Sequence, residues 1–307
     1  MNTIFFGTYE GRLLGYTIHK VDDGYSMILE YKKEYAVETH IGSVKSVAST
    51  VVKNIPYLLS GGVDEAIRLF NLKEAKEVGT ILFHQGDITT LQFAGPEFLI
   101  SGGADGKIVV WKTEDWTKLH ILGSHKAAVT SICVHPSNKV ALSIGADNTM
   151  RMWNLIKGRL GYVRKLKEQA FKILFSPDGS EYAVLYSKMC CVYKISDGEQ
   201  LFQLLNPQGF NDMNGDIVLV GNDKKIHVYD KGGKDIYTIE ANTQFRLRTV
   251  TMLLREGTDT PLIATGSSDG YIQVQLWDVY DEKEKLLDEL KTSERLTCST
   301  ALRVESD

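Results

Sequence analysis

The 307-residue sequence predicts an all-β, seven-bladed β-propeller folded as a single domain over residues 1–307. Three observations predict it. A unit built around an acidic turn and a strand ending in an aromatic residue returns seven times. The segments between these anchors alternate in hydrophobicity over short runs bounded by turn residues. The last stretch of the chain reads like the strand that the first unit lacks.

The unit is clearest in Ser101-Gly-Gly-Ala-Asp105-Gly-Lys-Ile-Val-Val-Trp111, which returns as Ser143-Ile-Gly-Ala-Asp147-Asn-Thr-Met-Arg-Met-Trp153. Sliding the spacing along the chain finds Asp64 with Phe70, Asp223 with Tyr229, Glu10 with Tyr16, and a degenerate Ser187 with Tyr193. The seventh copy, Thr265-Gly-Ser-Ser-Asp269, reaches Trp277 two residues late, which keeps the in/out parity of a strand. The anchors lie 36 to 54 residues apart. A period near 40 to 45 with an Asp turn and a terminal Trp resembles the WD-repeat family, in which each unit is one blade.

Local signals agree. Lys107–Trp111 alternates as a short strand, and Asp105-Gly106 and Asp269-Gly270 are strong hairpin turns. Pro96, Pro136 and Pro177 fall where the first and second strands of a blade must turn. No Gly/Ser-rich linker separates the units. Before Glu10 there is room for only Thr3–Gly7, a second strand without a first. Arg295–Val304 resembles the first strands Asp87–Phe93 and Ala128–Val134, so it is expected to insert beside Thr3–Gly7 and close the ring. Residues near Leu286–Lys291 are then expected to form the outer strand of the seventh blade, although their charge also permits a short helix.

The formal charge of −4 gives no global field that would hold the chain on RNA or membrane. Cys133, Cys190, Cys191 and Cys298 show no metal-ligand spacing and read as reduced, buried thiols. No secretory leader or membrane span is legible, so a soluble intracellular protein is expected. No metal, cofactor or phosphate-cradling loop is called for.

Two units carry a full polar set: His84, Ser101, Asp105 and Trp111, then His125, Ser143, Asp147 and Trp153. Ser, His and Asp are also the groups of a nucleophilic triad. Here they recur once per repeat and end on an indole donor, which points to satisfaction of buried polar groups instead. Similarity to WD proteins implies a relay in which Trp meets the hydroxyl, the hydroxyl meets His, and His meets Asp. The second unit keeps His40, Ser60 and Asp64 with Phe70 for Trp, and the seventh keeps Thr265, Asp269 and Trp277. The fifth and sixth units have lost most of the set and are expected to be softer. No catalytic residue is assigned.

Lys157, Arg159, Arg164, Lys165, Lys167 and Lys172 crowd the connection from the fourth unit to the fifth, interrupted by Tyr162 and Phe171. They form a candidate patch for an acidic partner or for RNA phosphates, with a solvated outer strand as the plainer alternative. Arg246, Arg248 and Arg255 are a second, weaker candidate.

The stretch His135–Trp153-Asn-Leu-Ile-Lys-Gly158-Arg159, with Leu99–Gly106 before it and Arg295-Leu-Thr-Cys298 at the close, resembles one branch of the WD family. That branch is the PAK-kinase-interacting proteins of animals and their fungal maintenance-of-killer counterparts. The likeness spans the propeller, strongest over 84–180 and weak over 196–260. It implies a non-enzymatic nucleolar scaffold for large ribosomal subunit assembly, binding pre-ribosomal proteins and rRNA, with restraint of a PAK-type kinase as the alternative. A closed propeller has no obligatory reason to dimerise, so a monomeric propeller inside a larger complex is expected. Members usually carry a lysine-rich C-terminal tail, whereas this sequence stops at Asp307; either the tail lies beyond it or this member lacks it, so targeting and RNA contact that depend on the tail are in question. A ubiquitin-ligase receptor would place Arg three residues after the blade Trp, where Glu114, Ile156 and Tyr280 stand. A G-protein β-subunit would open on a coiled-coil helix, where this sequence enters a strand.

Overall fold

A computed structural model describes residues 2–20, 27–215, 217–241, 243–254, 261–268, 272–278 and 286–303. The described residues form an all-β propeller, and their strands pair into seven four-stranded antiparallel sheets. Named from the innermost strand outward, the second sheet is Val44–Val52, Ile55–Gly62, Ala66–Asn71 and Lys76–Leu82. The third is Ile88–Ala94, Phe98–Gly103, Lys107–Lys112 and Lys118–Ser124. The fourth is Val129–Val134, Val140–Gly145, Thr149–Asn154 and Arg159–Lys165. The fifth is Ala170–Phe175, Glu181–Tyr186, Met189–Lys194 and Gln200–Leu205. The sixth is Phe210–Asn214, Val218–Gly221, Lys225–Tyr229 and Asp235–Glu240. The seventh is Leu247–Leu254, Pro261–Ser267, Ile272–Asp278 and Leu286–Thr292.

The first sheet is the exception in connectivity. Asn2–Thr8, Arg12–Lys20 and Met27–Glu38 come from the start of the chain, and their innermost partner is Leu296–Arg303 from its end. Asn2 pairs with Arg303 and Gly7 with Cys298, so the two termini share one ladder. The edge of Asn2–Thr8 is covered by the chain's own strand, which removes a template for intermolecular pairing.

Apolar side chains fill the seams between neighbouring sheets. Trp153 lies in a cluster with Ala94, Ile100, Ile108 and Val129, so the indole of the fourth sheet is buried against the third. Trp111 packs likewise with Leu59 and Ile67 of the second. Ile4 and Phe6 join Ala264 and Leu296 across the junction of the first and seventh. These residues alternate along their strands as a two-faced sheet requires.

Polar side chains stitch the same seams around the central channel. The Leu91 N–H donates to Ser46 Oγ (2.9 Å), Ile132 N–H to Thr90 Oγ1 (3.3 Å), and Ile173 N–H to Ser131 Oγ (3.3 Å). Each bond runs from one inner strand to the next. In the fifth sheet the hydroxyl position holds Lys172, whose ammonium donates to Asp212 of the sixth. Asp212 Oδ2 in turn accepts the Val250 N–H at 2.9 Å. Thr249 and Ser299 hydroxyls meet at 2.6 Å, and Thr297 Oγ1 donates to the Val44 carbonyl at 2.6 Å, completing the circuit. Between the fifth and sixth sheets a cleft lined by Leu174, Phe175, Tyr182, Val192, Met213 and Ile217 opens outward, bridged by Lys231 and Asp178 at 3.3 Å.

Truncation before Arg295 leaves the inner edge of Asn2–Thr8 without its partner strand and breaks two seams, so the urea unfolding transition is expected to lose its cooperativity or the chain to aggregate. Asp212→Ala strands the Val250 N–H and is expected to cost about 2–3 kcal/mol. Lys172→Met, whose ammonium faces the solvent-filled channel, should cost under about 1 kcal/mol. Equal losses in the two variants, measured by urea denaturation, would refute the belt's assignment of roles.

Candidate functional site

All seven inner strands begin on the same face of the ring, next to the loops that hold the polar relays. In the third sheet, Trp111 Nε1–H donates to Ser101 Oγ (2.9 Å), Ser101 lies 2.8 Å from His84 Nε2, and His84 Nδ1 lies 3.0 Å from Asp105. In the fourth, Trp153, Ser143, His125 and Asp147 repeat the series at 2.8, 2.8 and 3.0 Å. A neutral imidazole protonated on Nδ1 satisfies every member: Nδ1–H donates to Asp, Nε2 accepts the serine hydroxyl, and serine oxygen accepts the indole. Asp147 also accepts the Lys126 N–H at 2.8 Å, so the relay tethers the loop entering the inner strand.

The glycine before each turn follows from this packing. A Cβ at Gly103 would lie 2.6 Å from His84 Nδ1, and one at Gly145 would lie 2.6 Å from His125 Nδ1. The ring occupies the space a side chain would need. At Gly106 the backbone takes a φ of +78°, where L side chains are strained, and an added Cβ would meet the His125 carbonyl at 2.6 Å.

Burial holds the His40 and His125 imidazoles below their ordinary 6.5, outweighing the pull of Asp64 and Asp147. Burial by itself would raise Asp147, but the Lys126 N–H, the Thr149 hydroxyl and His125 together draw it down to about 2. The hydroxyls of Ser101 and Ser143 are fully buried, closed off from solvent. The relay's geometry is that of a structural clamp.

The second sheet keeps the first half, with His40 2.7 Å from Asp64 and 2.8 Å from Ser60, while Phe70 supplies apolar bulk without the indole donor. The sixth sheet has lost the serine and tryptophan of the relay, with Leu219 and Tyr229 in their places, but keeps a substitute for its outer half. Asn206 occupies the histidine's place and donates to Asp223 (2.9 Å), and His227, from the strand itself, lies 2.7 Å from the same carboxylate. The imidazole reaches the turn from four residues after the acid instead of from the preceding loop, a substitution invisible to a fixed spacing. The fifth sheet replaces the relay with tyrosines: Tyr182 and Tyr193 stack at 5.2 Å. In the seventh, Thr265 is buried, but Asp269 and the side chain of Trp277 lie outside what the structure describes.

The six basic residues of the fourth-to-fifth connection do not form one surface. Arg159–Lys165 is the outermost strand of the fourth sheet, pairing Arg159 with Asn154 and Lys165 with Thr149. Seven residues of strand span roughly 20 Å, so Lys157 and Arg159 sit on one face of the ring and Lys165 and Lys167 on the other. Arg164 turns into the seam, donating to Tyr182 Oη (3.1 Å) and the Gly198 carbonyl (3.2 Å), with its guanidinium 4.6 Å from the Tyr193 ring centre. Lys172 belongs to the seam belt. Of the second candidate cluster, Arg248 lines the channel, Arg246 lies close beside it, and Arg255 falls outside the described residues.

Sequence reasoning missed the apolar residues of the relay face. Ile41 is 85% exposed directly after the buried His40, and Phe245 and Phe171 are about half exposed at the starts of the seventh and fifth inner strands. They belong to the second, fifth and seventh sheets, each near the start of an inner strand, and only the folding of the ring brings them to the same side.

A chain of four-stranded sheets in a ring, clamped by Trp–Ser–His–Asp relays, is a WD-repeat propeller. The family model described as "WD domain, G-beta repeat" matches residues 75–112 and 116–154, the region containing both full relays. The chain is 31% identical over 306 residues to the p21-activated protein kinase-interacting protein 1-like protein of Xenopus laevis, spanning 97% of this chain and 81% of that protein. It is 30% identical over 184 residues to Protein MAK11 of Saccharomyces cerevisiae (54% and 44%) and 28% identical over 286 to Shk1 kinase-binding protein 15 of Schizosaccharomyces pombe (90% and 79%). This chain belongs to the p21-activated protein kinase-interacting protein 1 family.

The relay makes stability depend on pH with a defined sign. Folded His40 and His125 bind protons more weakly than the unfolded chain does. Their contribution is therefore complete above 6.5 and declines as pH falls below it, by at most about 1.4 kcal/mol per pH unit for each histidine. Asp147, present as carboxylate above 3.8, adds a second loss as pH falls towards 2. Asp147→Ala should cost about 1–3 kcal/mol at neutral pH. Urea midpoints measured from pH 7.5 to 5 check both; a midpoint independent of pH would contradict the neutral-imidazole relay.

Proposed function

We propose that this chain is a non-enzymatic, seven-bladed scaffold, closed through Leu296–Arg303, that acts in assembly of the large ribosomal subunit in the nucleolus. The observation that carries the reading is the likeness to the maintenance-of-killer branch through Trp153-Asn-Leu-Ile-Lys-Gly158-Arg159, supported by the match to Protein MAK11. The relay face, with Ile41, Phe171 and Phe245 exposed, is the surface assigned to pre-ribosomal proteins. Because Lys157 and Arg159 stand on the face opposite Lys165 and Lys167, contact with rRNA would use one pair at a time. A second reading, a scaffold that restrains a PAK-type kinase, is favoured by the names of the relatives, which describe kinase-interacting and kinase-binding proteins. Both readings place partners on loops and sheet edges, and neither requires a cofactor.

Density-gradient sedimentation of tagged protein from cell extract separates them. Co-migration with precursor large-subunit RNA, abolished by Ile41→Asp with Phe245→Asp while the isolated variant still unfolds cooperatively, is the expected result. Lys157→Glu with Arg159→Glu should weaken co-migration only if that face touches rRNA. Migration at the top of the gradient in the parent protein would overturn the ribosomal reading and bring forward the kinase one.

A further inference from the structure

The channel through the ring has a volume of about 450 Å³ and is lined by inner-strand residues of all seven sheets. Every inner strand carries a register shift in its first few residues, so one residue per sheet is extruded from the ladder: Lys45, Thr89, Thr130, Phe171, Asn211, Arg248 and Thr297. All seven line the channel, and together they form a ring at its mouth on the relay face. Lys45 and Arg248 stand on either side of Thr297 in that ring, since the second, first and seventh sheets are consecutive.

The charges in this ring and the layer beneath it are unbalanced. Three cations line the channel, Lys45, Lys172 and Arg248, against one carboxylate, Asp212. That carboxylate is already committed to Lys172 and to the Val250 N–H. Neither Lys45 nor Arg248 has an ion-pair partner among the described residues. The Arg248 guanidinium is partly withdrawn from water and lies near a second cation, Arg246, and both effects weaken its hold on its proton. Arg248 as a whole stays largely exposed, so its repulsion from the neighbouring cation is a modest cost that a bound anion would offset. In a chain of net charge −4 such a focus of positive potential stands out.

We propose that the mouth of the channel is a binding site for a small multivalent oxyanion of the phosphate class, held between Arg248 and Lys45. The guanidinium fork matches a tetrahedral oxyanion in two-point contact, and the ammonium across Thr297 neutralises a second charge. The hydroxyls of Thr89, Thr130 and Thr297 donate to backbone carbonyls and the Asn211 amide donates to Asn222 and Leu247, so Arg248 and Lys45 are the groups left to hold the anion. The site is independent of the ribosomal and kinase readings, because it needs neither partner.

The test uses the full chain and inorganic pyrophosphate, titrated calorimetrically at constant ionic strength with chloride as the balancing anion. Saturable binding at one site is expected, weakened at least tenfold by Arg248→Gln and several-fold by Lys45→Gln. Lys139→Gln, on the opposite face of the ring, should leave affinity unchanged. Without pyrophosphate, Arg248→Gln should melt at the same or a higher temperature than the parent, since it removes an uncompensated charge. A phosphoserine peptide that binds with the same dependence on Arg248 would assign the oxyanion to a modified partner, and binding of pyrophosphate alone would assign it to a free ligand. The proposal is overturned if pyrophosphate does not bind, if Lys139→Gln weakens it as much as Arg248→Gln, or if Arg248→Gln lowers the melting temperature with unchanged affinity.

Discussion

Between neighbouring sheets, a side chain on one inner strand reaches a group on the next inner strand, and this contact recurs at every seam of the ring. Four-stranded sheets packed face to face hold together through apolar contact, but apolar contact has no preferred register. The hydrogen bonds from Ser46 to Leu91, Thr90 to Ile132 and Ser131 to Ile173 set that register, because a slip of one residue turns each hydroxyl away from its partner. The relay depends on it in turn. His84 and His125 lie in the loops leading into these strands, and their aspartates are on the next hairpin of the same sheet.

Lys172 shows how the belt adapts. An ammonium cannot accept the backbone N–H that serine or threonine accepts, so the fifth sheet reverses the polarity of the contact and donates to Asp212. Asp212, with two oxygens, passes the connection to Val250. The seam bridged by this ion pair is also the one with an open apolar cleft on its outer side. The sixth sheet shows a comparable exchange in its relay, where Asn206 and His227 share the carboxylate of Asp223. In each case the polar requirement is met while the identity and origin of the group change.

Function in such a ring resides where these requirements leave residues free. The buried serines and histidines of the relays are engaged on every side. Of the residues extruded by the register shifts, Thr89, Thr130, Asn211 and Thr297 still donate to neighbouring groups, whereas Lys45 and Arg248 line the channel without an ion-pair partner among the described residues. Ile41 beside His40 and Arg248 beside Leu247 are neighbours of buried anchors held firmly in place, which gives an exposed residue a fixed position without burying it.

The sequence by itself determined the propeller: the repeat length, the Asp–aromatic spacing and the orphan strand Thr3–Gly7 pointed to the ring and to Arg295–Val304 as its closure. It also disclosed the two full relays, because those contacts are local to one repeat and so leave a periodic trace. Tertiary structure alone decided what happens between repeats. Lys157 to Lys172 are close in sequence, yet a fully extended strand carries its ends to opposite faces and its alternation sends Arg164 into a seam. Conversely Lys45, Arg248 and Thr297 are far apart in sequence and become neighbours only when the ring closes. Spacing along one strand is written in the sequence, whereas adjacency around the ring depends on the packing of seven sheets at once.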